Sequence, residues 1–150
     1  MSVLAKEYSD LDRALDEVRA VIEQWSSSLE SAPEPNGETV QYTQLVLHEW
    51  IANLLQHADF ADRSPSIRIR LSSEQAHVRA VVVDNSTGFD LARRLPSTEE
   101  PLDDLPERGM GLRIIDACTD HLSYHPTDEG LYRLEFSIPA DHDPWLSTLF

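Results

Sequence analysis

The chain has almost no cysteine, no long apolar run and little positive charge, and each shortage removes a class of protein. Cys118 is the single cysteine among 150 residues, so an internal disulfide is impossible and a reducing compartment fits. No apolar stretch approaches the ~18–20 residues that a membrane span needs. The opening segment MSVLAKEYSD carries neither a basic leader nor an apolar core; nothing in it points to secretion, and a cytoplasmic location is expected. Against 27 Asp+Glu stand 12 Lys+Arg, a net charge of -15. A field of that sign repels phosphate backbones and anionic lipid, which disfavours nucleic acid and membrane surfaces as direct partners. It favours docking onto a protein with a basic patch, although solubility or a salty cytoplasm accounts for it equally.

What is present is the composition of one globular domain over residues 1–150, 41% hydrophobic and long enough to bury a core. Residues 2–7 suit a short first strand. From Asp10 to about Leu29 the apolar positions Leu11, Leu15, Val18, Ile22, Trp25 and Leu29 keep helical spacing, with Ser9 or Asp10 as cap. The turn-rich segment 31–37 breaks the chain before a second helix from about Glu38 to Ala58. Two strands follow. Ile67, Ile69 and Leu71 alternate with Arg68 and Arg70, Val78–Val83 is more continuously apolar, and Ser72–Gln75 can turn the chain between them.

Residues 90–107 include LPSTEEPLDDLPE, with three prolines, five acidic residues and no steady period, and read as a mobile acidic loop. Beyond Arg108-Gly109-Met110-Gly111, Leu112, Ile114, Ile115, Cys118 and Thr119 mark another helix, in which the thiol simply packs. Strands around His121–His125 and Leu131–Pro139 close the pattern, joined by a turn at Thr127–Gly130. In the second of them Tyr132, Leu134, Phe136 and Ile138 are expected to face the core. This order suggests helices packed on one face of a mixed sheet.

Three short segments carry chemistry. On the second helix, residues four apart sit about 40° apart around the axis, so Glu49, Asn53 and His57 form one row. Beside it runs the wider apolar face of Leu47, Trp50, Ile51, Leu54, Leu55 and Ala58. Alone, the row also reads as the solvated face of an amphipathic helix. With Tyr42, Leu45, Val46 and Ala52 at its border it can instead line a pocket. There the Asn53 amide can offer its oxygen to Mg²⁺, a hard ion that keeps several waters and needs few protein ligands. Glu49 can accept a proton from an attacking hydroxyl, whereas His57 suits packing or capping.

Asp84 ends the strand Val81-Val82-Val83. A carboxylate there can accept from an exocyclic amine such as that of adenine, and Gly88 lets the chain pass close under a ring. Asp84-Asn-Ser-Thr-Gly88 is equally ordinary turn chemistry. Gly109 and Gly111 open a helix whose free N–H groups attract anions, and Arg108 can add charge at a terminal phosphate.

In this order and at this spacing, the blocks Leu45-Val-Leu-His-Glu-Trp-Ile-Ala-Asn53, Val83-Asp-Asn-Ser-Thr-Gly-Phe-Asp90 and Glu107-Arg-Gly-Met-Gly-Leu112 resemble the N, G1 and G2 boxes of the GHKL ATPase superfamily. Within it the chain looks like the small anti-sigma-factor serine/threonine kinases of bacterial partner-switching systems. The resemblance covers nearly the whole chain, including Leu11-x-x-Ala14-x-x-x-Val18-Arg19 near its start. It implies the Bergerat ATP-binding fold, an α/β (α+β) two-layer sandwich with a mixed, mainly antiparallel sheet and helices on one face, and makes the acidic loop a short ATP lid. It also implies ATP and Mg as cofactors, Glu49 as catalytic base and Asn53 as the Mg²⁺ ligand. Asp84 would bind adenine, and Gly88, Gly109 and Gly111, with Met110 and Leu112 between and after the last two, would shape the lid and phosphate site. Arg108 would approach the γ-phosphate. Implied partners are a sigma factor, held by a kinase homodimer, and an anti-anti-sigma protein as substrate. The G1 pattern has glycine where this chain has Ser86. A β-carbon there can crowd the nucleotide or oppose the backbone angle, so nucleotide affinity is the property it bears on. The alternatives are a non-catalytic, nucleotide-regulated binding module and an acidic interaction protein that binds no nucleotide.

Overall fold

The computed structural model describes residues 3–29, 37–88 and 107–139, the side chains of 107–111 excepted. Eight elements follow in chain order: β1 (Val3–Tyr8), α1 (Leu11–Ser27), α2 (Gly37–His57), β2 (Ile67–Glu74), β3 (His77–Asp84), α3 (Glu107–Cys118), β4 (Asp120–Pro126) and β5 (Tyr132–Ile138). The strands form one sheet in the order β1-β2-β3-β5-β4. Every described pairing is antiparallel, so the mixed, mainly antiparallel sheet expected above narrows to its antiparallel form. The acidic loop expected at about 90–107 falls, apart from Glu107, outside the described residues, as does the break before α2 apart from Gly37.

Helix α1 starts where its cap is. The Asp10 carboxylate accepts from the backbone N–H of Asp12 at 3.0 Å and of Arg13 at 3.3 Å, satisfying two donors that a first helical turn leaves without partners. Its stripe of Leu11, Ala14, Val18, Ile22 and Trp25 is buried. In α2, Thr39, Tyr42, Thr43, Val46, Leu47, Trp50, Ile51, Asn53 and Leu54 are buried. Such breadth exceeds one amphipathic face because α2 is the middle helix, packed against both α1 and α3 and also touching β3 and β5. Leu55, placed by periodicity on the apolar face, is instead 37% exposed; it points away from all these neighbours.

Register puts the core on one face of the sheet. Ile69, Val82 and Leu134 share a cross-strand row, as do Leu71, Ala80 and Phe136, and all six are buried. Val81 and Val83 point to the other face and are only half-buried. The β2–β3 hairpin is longer than the sequence suggests. Ser72–Glu74 stay in the ladder, which ends at the pair Glu74–His77. The turn is Gln75-Ala76, with φ of 52° and 66°, the double left-handed geometry of a tight two-residue hairpin. At the other hairpin, Thr127 Oγ1 accepts from Glu129 N and Leu131 N, and Gly130 supplies φ of 80°. Cys118 is buried, and burial pushes its thiol up to about 11, as suits a packing role.

Leu47 is fully enclosed on the middle helix, where its neighbours cannot collapse into a void from one side. Leu47→Ala is expected to lower unfolding free energy by about 2–5 kcal/mol, read from urea midpoints at unchanged slope.

Candidate functional site

One end of the sheet carries Asp84 and the polar residues that follow it. Asp84 closes β3 on the core-facing side, in a row with Ile67 and Tyr132. From there the chain turns back past the end of α2. Thr87 N and Oγ1 both donate to the carbonyl of Asp59, at 2.7 and 3.1 Å. Asn85 is stapled to the segment before β2: its Oδ1 accepts from Ser66 N and its Nδ2 donates to Ser64 O, each at 2.8 Å. The C-terminal ends of α2 and β3 are thereby tied together.

Asn53 is 8% exposed, which excludes the solvated-face reading for that residue. Its Nδ2 has no hydrogen-bond partner. A buried amide left in that state costs free energy, on the order of 1–3 kcal/mol, unless a ligand completes it. Glu49, one turn earlier, and His57, one turn later, are half-buried. Trp50, between Glu49 and Asn53, meets the edge of Tyr124 with ring centroids 5.1 Å apart. That contact links the helix to Asp84.

The Asp84 carboxylate is 1% exposed and well supplied with donors. Oδ1 accepts from Ser86 N at 2.9 Å and from Ser86 Oγ at 2.5 Å; Oδ2 accepts from the Tyr124 hydroxyl at 3.3 Å. Burial pushes the carboxyl above its ordinary value, outweighing the Ser86 and Tyr124 hydrogen bonds and the charge of Arg63, which pull it down. Burial also pushes the Tyr124 phenol up, so it remains a donor at neutral pH. The strained backbone weighed for Ser86 is absent: among described residues, left-handed non-glycine backbone occurs only at Ala61, Gln75, Ala76 and His121. Ser86 acts through its hydroxyl instead, donating to Asp84 and accepting from Gly88 N at 3.1 Å.

Gly88 does lie against a ring, but the ring is the protein's own. Its φ is 78°, and a β-carbon there would stand 2.1 Å from the Tyr132 ring. Tyr132 in turn lies 5.1 Å from Tyr124 between centroids. Helix α3 includes Arg108, Gly109, Met110 and Gly111 in its opening turns instead of beginning after them; how their side chains are directed lies outside the described residues. Leu112 is buried in the core. Since α3 is followed at once by Asp120, which pairs with Ser137 at the opposite end of the sheet, the helix ends far from Asp84.

Sequence reasoning missed Tyr124 and the aromatic group it forms with Trp50 and Tyr132. The available signal was weak: Leu122 and Tyr124 alternate on β4, but only the non-sequential order β3-β5-β4 brings Tyr124 to Asp84. Among described residues no group of three His, Cys, Asp or Glu could hold a metal, and no helix is long and apolar enough to cross a membrane.

An antiparallel sheet with its helices packed on the core-facing side is an α+β two-layer domain. The sequence model of the histidine kinase-like ATPase domain matches residues 9–132. The chain belongs to that family. It is also similar to the Serine-protein kinase RsbW of Oceanobacillus iheyensis, 30% identical over 88 residues that make up 55% of this chain and 56% of that protein. The chain thus spans little more than half the length of that curated relative.

Two measurements test this geometry. Gly88 and Gly130 share a left-handed backbone, but a β-carbon at Gly130 meets nothing within 4 Å. Gly88→Ala should therefore cost about 1–3 kcal/mol more than Gly130→Ala in urea unfolding, the excess coming from the displaced ring. The second concerns pH. A carboxyl raised on folding contributes stability that is fully present below its ordinary 3.8 and lost as pH rises through the raised value. Asp84→Asn carries no such loss. Its unfolding free energy minus that of the wild type should grow from pH 4 to pH 7, and a flat difference would contradict a buried, raised carboxyl.

Proposed function

We propose that this domain binds ATP with Mg²⁺ and transfers the terminal phosphoryl group to a serine or threonine of an anti-anti-sigma protein. In the same reading it sequesters a sigma factor as a cytoplasmic homodimer. The observation that carries the proposal is the burial of two polar groups: the Asn53 amide, whose Nδ2 lacks a partner among the described residues, and the Asp84 carboxylate at the end of β3. In this reading the amide serves the metal and the carboxylate the base. Family membership supports ATP as the ligand, and the relative's printed name supports protein phosphorylation.

The residues fit an Mg²⁺ ion that is held mostly by water and triphosphate oxygens, because such an ion needs little from the protein beyond one neutral amide. When bound it supplies charge neutralisation on the transferring phosphoryl group. Asp84 accepts the base amine and thereby orients the adenosine end. Glu49, half-buried one turn from Asn53, takes the proton of the attacking hydroxyl. Free N–H groups in the first turn of α3 face negative charge as every helix start does, and Arg108 in that turn adds a cation as charge moves toward the leaving oxygen. The terms at work are positioning and electrostatics.

A second reading is supported by the donors already seated on Asp84. If they lower nucleotide affinity enough, the domain acts as a nucleotide-regulated binding module without transfer. Incubation with labelled ATP and a candidate anti-anti-sigma partner separates the two: label on the partner supports the kinase, and retained nucleotide without transfer supports the module. Glu49→Gln should abolish transfer while leaving ATP binding, measured by calorimetry, within about twofold of wild type. Normal phosphorylation by that variant would remove Glu49 from the role of base.

A further inference from the structure

The structure shows what holds each oxygen of Asp84. Oδ1 takes two donors from Ser86, the backbone N–H and the hydroxyl. A carboxylate oxygen has about two lone-pair directions, so Oδ1 is saturated from within the loop. Oδ2 is the oxygen that an incoming amine would use. It is already engaged by the Tyr124 hydroxyl at 3.3 Å, at the long end for an O–H···O contact and therefore weak.

The ring that carries this hydroxyl is held in place. It packs between Trp50 and Tyr132, with centroid separations of 5.1 Å to each and interplanar angles of 68° and 30°. The Ser86 hydroxyl also lies within hydrogen-bonding reach of the phenol oxygen, as a donor to it. Tyr124 thus has a long, weak bond to Asp84 to give up.

We propose that Tyr124 is an internal competitor for the purine amine, occupying the Asp84 oxygen that a base would use and so setting the affinity of the site and its preference for adenine. This rests on Asp84 being the base-reading residue. Tyr124 is a positioning residue in this scheme: it acts on the nucleotide only through Asp84. Removing the hydroxyl takes away a hydrogen bond that the free protein makes and the complex must break. The net worth of such a bond corresponds to about a threefold to tenfold change in affinity.

The test is calorimetric titration of wild type, Tyr124→Phe, Asp84→Asn and the double variant Tyr124→Phe/Asp84→Asn. The ligands are ATP with Mg²⁺ and purine riboside 5′-triphosphate with Mg²⁺, which has hydrogen where ATP has its amino group. Tyr124→Phe keeps the ring between its neighbours. It should tighten ATP about threefold to tenfold and leave the amine-free analogue unchanged, and the gain should vanish in the double variant. Should Tyr124→Phe fail to fold by circular dichroism, Tyr124→Met serves in its place: it too leaves no donor on Oδ2 and should likewise tighten ATP alone. Unchanged or weaker ATP binding, in a background where Asp84→Asn weakens ATP, overturns the competition while leaving Asp84 as base reader. Indifference of ATP binding to Asp84→Asn overturns both.

Discussion

A carboxylate 1% exposed has lost nearly all its water, and the end of this molecule is arranged around that loss. Charge removed from water costs several kcal/mol unless hydrogen bonds replace the hydration. The residues after β3 supply them. Ser86 folds back with two donors and Tyr124 reaches in from β4, a strand 36 or more residues away in sequence, which makes Asp84 the point where the sheet's last two strands and the β3 loop agree. The same turn pins Thr87 to Asp59 and places Gly88 against Tyr132, so the loop is held at both ends. The raised carboxyl is what remains of the desolvation that these bonds do not offset.

The second constraint is the position of α2. A helix with neighbours on both sides and a sheet beneath has little solvent face, and Asn53 is consequently buried although it sits in a polar row. Trp50 connects that helix to the aromatic group over Asp84. Through Tyr124, whose hydroxyl donates to Asp84, the middle helix and the end of β3 are joined by packed aromatic rings. Family membership and local geometry bear on different questions here: the first on what kind of ligand suits the fold, the second on how readily this chain admits it.

Legibility in the sequence followed the range of the interactions. The stripe of α1 and its Asp10 cap were readable because both depend on residues within about four positions of each other. Alternation in β2 and β5 was readable for the same reason. The Gln75-Ala76 turn was not, because neither residue favours the left-handed backbone that the hairpin imposes, and the ladder's closure at Glu74–His77 overrides that preference. Leu55 was misassigned because periodicity gives angles around a helix without saying how many neighbours the helix has. Asn53 and Asp84, polar in a sequence that does not say how deep they lie, are both buried, and the ring that Gly88 lies against is that of Tyr132.

Residue order alone determined the elements, the caps and the identity of the polar groups, since helix and strand periods and turn chemistry act between near neighbours in the chain. Packing decided which of those groups lost their water and which donors replaced it. Ser86 and Tyr124 meet on Asp84 only after β5 has inserted between β3 and β4, and no local pattern encodes a contact made across forty positions of chain.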